Sequence, residues 1–199
     1  MVRILSLIFF YSSLLALEPT ENTGKRRLTE YPNFFFVEAG TGVGHGIQEA
    51  IDSGMFNIYF SMDINTKYQK NPINNPNITF EEGDVGASFS NFISLLYLPA
   101  TFWLDAIFSP VTAQLLYDSG VINALCPLLN TLDQIKASPI KTHTIMINSI
   151  QYISEAYNIP LSTIENKLYE INPYYHLEYI QAGDGGIIVE SNCLVATPP

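Results

Sequence analysis

The sequence predicts an α/β domain, and three observations carry that prediction. Short apolar segments that stop at a glycine or an acid alternate with segments whose apolar residues recur at helical spacing, and the alternation repeats at least five times. One segment, THTIMIN, is apolar on both faces, as a strand covered by two layers must be. The last two β-rich segments, YYHLEYIQ and GGIIVESNCLVA, follow one another without a helix and read as a hairpin. Together these describe a sheet with helices on both faces, in which ligands gather at the carboxyl ends of the strands.

Taken in order, FFFVEA is the first strand, halted by the glycine turn from Glu38 to Gly46. HGIQEAIDSG follows as a helix through Ile47, Ala50 and Ile51. NIYFSMD and ITFEEGD are the second and third strands, each ending on an acid, with the turn KNPINNPN between them. SFSNFISLLYL reads as a helix that Pro99 ends before the strand ATFWLDAI. LCPLLNTLDQI is a helix, THTIMIN the fifth strand, and LSTIENKLYEI the helix before the hairpin.

The chain of 199 residues has room for one ordinary domain. Hydrophobic residues at 47% and charged residues at 14% argue for a compact globule and against disorder. With 9 Lys+Arg against 19 Asp+Glu, the net charge of −10 opposes a nucleic-acid partner, whose phosphates such a surface would repel. The two cysteines, Cys126 and Cys193, allow at most one bridge and are expected as buried thiols.

The first residues, MVRILSLIFFYSSLLALEP, place Arg3 before an apolar run from Ile4 to about Leu17, the layout of a secretory signal peptide with cleavage near Ala16. The run is shorter than the roughly 20 residues a spanning helix needs, and an uncleaved N-terminal anchor is the alternative. Residues 1–17 are thus expected to be the signal, 18–31 a linker and 32–199 the domain. The expected location is the secretory pathway or periplasm, or the cytoplasm if the segment is no signal. Contact with a membrane is expected only through that segment, if uncleaved. One Asn-x-Thr sequon, Asn77-Ile78-Thr79, would matter in a eukaryotic secretory pathway.

The residues at the strand ends are Glu38, Asp63, Asp84, Asp105 and Asn148. The turn Gly40-Thr41-Gly42-Val43-Gly44-His45-Gly46 fails the GxGxxG fingerprint in every register, which disfavours a nicotinamide cofactor. Its glycines still allow positive φ and let backbone N–H groups approach a ligand. Asp63, nineteen positions after Gly44, stands where a carboxylate can accept ribose hydroxyls. No Walker pattern, GxSxG elbow or Cys–His arrangement accompanies them.

This ordered set resembles the class I S-adenosylmethionine-dependent methyltransferases, whose first motif is E/DxGxGxG and whose second strand ends on a ribose-binding acid. It is closer still to a subgroup with ATFWLDAH, PLLEELxxIKxHxIKxHTILIDD and INPxY segments. Here these stand as ATFWLDAI from Ala100 to Ile107, PLLNTLDQIKASPIKTHTIMINS from Pro127 to Ser149, and INPYY from Ile171 to Tyr175. The resemblance implies a Rossmann-like sandwich with a mostly parallel seven-stranded sheet and a C-terminal antiparallel hairpin. It implies S-adenosylmethionine as cofactor, with Glu38, Gly40, Gly42 and Gly44 around its methionine part, Asp63 on the ribose and Asp84 near the adenine.

Related metal-dependent O-methyltransferases hold Mg²⁺ with an acid after the fourth strand and an acidic pair after the fifth. Asp105 matches the first and is the candidate catalytic residue. The following histidine is Ile107, and the acidic pair is Asn148-Ser149, so Asp105 with Asn148 makes a poor Mg²⁺ site. His143 is expected to pack and hydrogen-bond at the sheet, and Phe102 and Trp103 to pack in the core. The leading expectation is an O-methyltransferase of a small molecule or glycan, its acceptor chosen by the loop Phe108 to Asn123. The rival is an exported, non-catalytic descendant of the fold that serves as a binding module.

Overall fold

A computed structural model of the chain describes residues 28, 30–65, 75–107, 118, 126–181 and 192–199. The expected signal segment, nearly all of the linker and almost all of the loop Phe108 to Asn123 lie outside the described residues. The elements are β1 (Phe35–Ala39), α1 (His45–Ser53), β2 (Ile58–Asp63), β3 (Ile78–Glu82), α2 (Val85–Ser88), α3 (Ser90–Ile93), β4 (Ala100–Leu104), α4 (Leu128–Lys136), β5 (Thr144–Ile147), α5 (Ile150–Ala156), α6 (Leu161–Ile171), β6 (His176–Gln181) and β7 (Asn192–Thr197).

The seven strands form one sheet in the order β3-β2-β1-β4-β5-β7-β6. The pairs among β1 to β5 are parallel, and β7 lies antiparallel between β5 and β6. The expected sheet and its closing hairpin are therefore both present. Two cores cover the two faces. Phe35, Val37, Phe60, Phe102, Ile145, Ile147 and Leu168 belong to one; Phe36, Ile47, Ala50, Tyr59 and Val195 belong to the other. Burial of each of the larger side chains stabilises by roughly 1.5–3 kcal/mol, so alternate residues of β1 hold the domain from opposite sides. Leu28 already packs into the second core, and the Tyr31 carbonyl accepts from Thr101 Oγ1 at 2.6 Å, so this part of the expected linker is part of the packed domain.

Two helices differ from expectation. The stretch from Val85 is two single turns, because the Gln134 side chain takes both backbone groups that would join them: its amide donates to the Gly86 carbonyl at 3.0 Å and its oxygen accepts from Ser90 N at 2.7 Å. Continuous helix would pair those two groups with each other. The short α5, which the apolar pattern did not announce, buries only Ile150 and Ile153.

β1 lies where the strand order reverses, with β2 on one side and β4 on the other. A crevice opens at such a point beyond the carboxyl ends of the strands. Four hydrogen bonds carry the parallel ladder one step past those ends: Gly83 N to Asp63 O, Gly40 N to Met62 O, Asp105 N to Ala39 O, each at 2.8 Å, and Asn148 N to Leu104 O at 3.0 Å. They set Asp63, the glycine turn, Asp105 and Asn148 in one row.

Candidate functional site

The first cluster is organised by Glu38. It stands in register with Ser61 of β2 and Trp103 of β4, so the three side chains share a row beneath the start of α1. Glu38 is 1% exposed. Ser61 Oγ donates to Glu38 Oε2 at 2.5 Å, Thr41 Oγ1 joins Ser61 Oγ at 2.6 Å, and the Ile47 backbone N–H also bonds the carboxyl. Burial, reinforced by Asp105 and Asp63, pushes the Glu38 carboxyl up to about 8, so the group holds its proton at neutral pH. Glu38 is thus a brace between the sheet and α1, behind the turn.

The turn itself is shaped by positive φ at Gly40 (95°), Gly42 (50°) and Gly44 (94°). A Cβ on Gly40 would lie 2.7 Å from both Asp105 O and Ala106 N, so only glycine lets the turn rest on the end of β4. A Cβ on Gly42 would meet nothing within 4 Å. That open side faces outward beside Asp63, whose Oδ2 accepts from Gly42 N at 2.8 Å and whose Oδ1 accepts from Asn65 N at 3.0 Å. Each carboxylate oxygen keeps a further lone pair for a ligand hydroxyl. Asp84, half-buried, caps α2 by accepting from Gly86 N at 2.9 Å.

At the end of β4, Asn148 Nδ2 donates to Asp105 Oδ1 at 3.1 Å, and the Trp103 side chain also bonds the carboxylate. Burial raises Asp105 to about 6, against these two bonds that favour its charged form. Trp103, expected as core packing, is half-buried and packs against the second core while its indole N–H serves Asp105. Phe102 is fully buried as expected. Beside Asp105, Ala39, Leu104, Ala106, Ile107, Leu128 and Ile153 line an apolar cavity of about 10 Å³.

His143 is fully buried: Nδ1 accepts from Ala100 N at 3.1 Å, and Nε2 lies 3.2 Å from Ser138 Oγ. Burial lowers it to about 4, so it is a neutral structural side chain, as expected. His45 is exposed at the first position of α1. Cys193 is buried, Cys126 only partly, and neither is joined in a disulfide.

The row fits S-adenosylmethionine in kind: a glycine turn with an open face, an acid at the end of β2 with acceptor capacity to spare, and a second acid at the head of α2. It does not fit Mg²⁺, which takes about six oxygen ligands. Asp105 brings one carboxylate, and Asn148 turns N–H groups rather than oxygen toward it. Among the described residues no group of three or more His, Cys, Asp or Glu side chains could hold a metal.

No protein-family model matches the chain, and no curated protein matches it. Solved structures do match. An O-methyltransferase from Bacillus cereus, in complex with SAH, superposes with a TM-score of 0.58 at 12% identity, covering 98% of this chain and 89% of that one. Precorrin-6y C5,15-methyltransferase from Geobacter metallireducens gives 0.55 at 13% identity, covering 89% and 87%. An N-methyltransferase from Bradyrhizobium japonicum gives 0.51 at 9% identity, covering 90% and 100%. With its strand order, its antiparallel β7 and these neighbours, the chain has the fold of the class I S-adenosylmethionine-dependent methyltransferases.

Proposed function

We infer that the protein is an S-adenosylmethionine-dependent methyltransferase that methylates a hydroxyl of a small molecule or glycan without a metal ion, Asp105 accepting the hydroxyl proton. The observation that carries this reading is the Asp105 carboxylate, held by Asn148 and Trp103 beside the glycine turn. The bound cofactor supplies an electrophilic methyl group on a sulfonium. Gly40, Gly42 and Gly44 seat its methionine part, Asp63 its ribose, and Asp84 lies toward the adenine. A carboxylate raised to about 6 is still ionised at neutral pH and is a better proton acceptor than an ordinary aspartate. The two N–H donors keep it ionised and aimed.

Titration calorimetry of the full chain with S-adenosylmethionine and S-adenosylhomocysteine tests the cofactor half. Micromolar binding, unchanged by Mg²⁺ and retained by Asp105→Asn while transfer is lost, is the expected result. Absence of binding by either compound overturns the reading and leaves the exported binding module, which Ile107, Asn148 and Ser149 otherwise motivate.

A further inference from the structure

The structure assigns Asn77 a second chemistry: we propose that it is an acceptor for N-linked glycosylation, carrying an oligosaccharide on the β3 edge of the sheet. The proposal is independent of methyl transfer and rests on three features of the Asn77-Ile78-Thr79 sequence.

The first is presentation. Asn77 and Thr79 are exposed, while Ile78 between them packs against the core that contains Phe36 and Tyr59. In extended backbone residues two apart point to one side, so the asparagine and the threonine hydroxyl both face solvent. The sequence that a glycosyltransferase reads as a unit is displayed as one. The second is anchoring. Asn77 N donates to Asn75 Oδ1 at 2.9 Å, and its carbonyl accepts from Tyr59 N at 3.0 Å. The backbone is thus tied to the sheet by bonds that a sugar on Nδ2 leaves intact.

The third is position. Among the described residues β3 is the outermost strand, with a neighbour in the sheet on one side only. Exposed strand edges invite pairing with other chains, and a glycan beside one blocks that approach. Asn77 stands at the amino end of β3 and Asp84 beyond its carboxyl end, with five strand residues between them, about 17 Å. The sugar and the strand-end site therefore lie at opposite ends of the sheet. The apolar run from Ile4 to Leu17 after Arg3 is the feature that would deliver the chain to the transferase.

The chemistry balances without redox change. Asn77 Nδ2 forms a bond to the anomeric carbon of an oligosaccharide linked to a lipid diphosphate. The bond from that carbon to the diphosphate oxygen breaks, the lipid diphosphate leaves, and one amide proton passes to solvent.

The full chain is expressed in a eukaryotic cell with a second acceptor sequence appended after Pro199, which reports delivery to the lumen. The expected result is a mobility shift removed by a peptide N-glycosidase, with Asn77 found as Asp in the released peptide by mass spectrometry. Asn77→Gln and Thr79→Ala should each abolish modification at this position, and Thr79→Ser should keep it. Glycosylation of the appended sequence with Asn77 unmodified overturns the proposal, and so does an unmodified chain at both positions. Cofactor titration of the glycosylated protein separates the two readings: a glycosylated chain that binds no cofactor sustains this proposal and refutes the enzyme.

Discussion

The Glu38 carboxyl occupies the space that a Cβ on Gly46 would fill, and Oε1 is the atom that would meet it. Glycine at 46 is therefore required by its neighbour, because its φ is not among the positive ones. Gly46→Ala in an open helix would gain up to about 1 kcal/mol from helix propensity. Here overpacking against a fully buried side chain costs about 1–3 kcal/mol and wins. Urea denaturation should show a net loss of roughly 1–2 kcal/mol for Gly46→Ala, and less added loss when Glu38→Ala has already vacated the space. Additive losses in the double variant would sink the argument.

Glu38 also sets the response to pH. Its folded-state value of about 8 lies above the ordinary 4.5, so the folded protein holds a proton that the unfolded chain releases. Stability from this group is full below pH 4.5 and falls as pH rises toward 8. Asp105 acts in the same direction between 3.8 and about 6, while His143, lowered from 6.5 to about 4, acts oppositely as pH falls through that interval. Of these three groups only Glu38 still titrates between pH 6.5 and 8, with a slope of about −1.4 kcal/mol per pH unit as an upper figure. Denaturation midpoints of the native chain should drop over that interval, and those of Glu38→Gln should stay flat. A native stability that rises from pH 6.5 to 8 would show that Glu38 is ionised in the fold.

Much of this was legible in the sequence because strands that end on acids mark their own carboxyl ends. Glu38, Asp63, Asp84 and Asp105 read as strand-end residues from one feature, an apolar run closed by a carboxylate. What escaped depends on partners distant in the chain. The break between α2 and α3 is made by Gln134, 44 positions beyond Ser90, and no local pattern announces it. Trp103 read as core because an aromatic in a buried strand usually is; the direction of its N–H is settled by the path of the chain after Leu104. Asn148 read as a weakened metal ligand through its oxygen, whereas Asp105, an acceptor when ionised, draws its amide hydrogens instead.

Asp63 joins ligand and turn, so its removal should be felt twice. Asp63→Ala deletes the acceptor for ribose hydroxyls and frees Gly42 N and Asn65 N. Loss of charge-assisted hydrogen bonds predicts weaker cofactor binding by about 1.5–3 kcal/mol, roughly 10- to 150-fold in Kd. Calorimetry checks this, and Asp63→Asn, whose amide oxygen still accepts from Gly42 N, should preserve more of the fold's stability than of the affinity. Affinity unchanged in both variants would remove Asp63 from the site.

The Asp105–Asn148 contact can be inverted. Asn148→Asp with Ser149→Asp sets three carboxylates at the ends of β4 and β5 and removes the amide donor from Asp105. Position 149 has φ 53°, a left-handed conformation that aspartate tolerates better than most residues. Without an ion, mutual repulsion should lower Tm and raise the Asp105 pKa further. Millimolar Mg²⁺ should restore Tm in the double variant, leave the native chain unmoved, and lose its effect when Asp105→Asn is added. A double variant indifferent to Mg²⁺ would mean that these three side chains do not converge on one point, and with it would fall the view that Asn148 stands where a second metal carboxylate could.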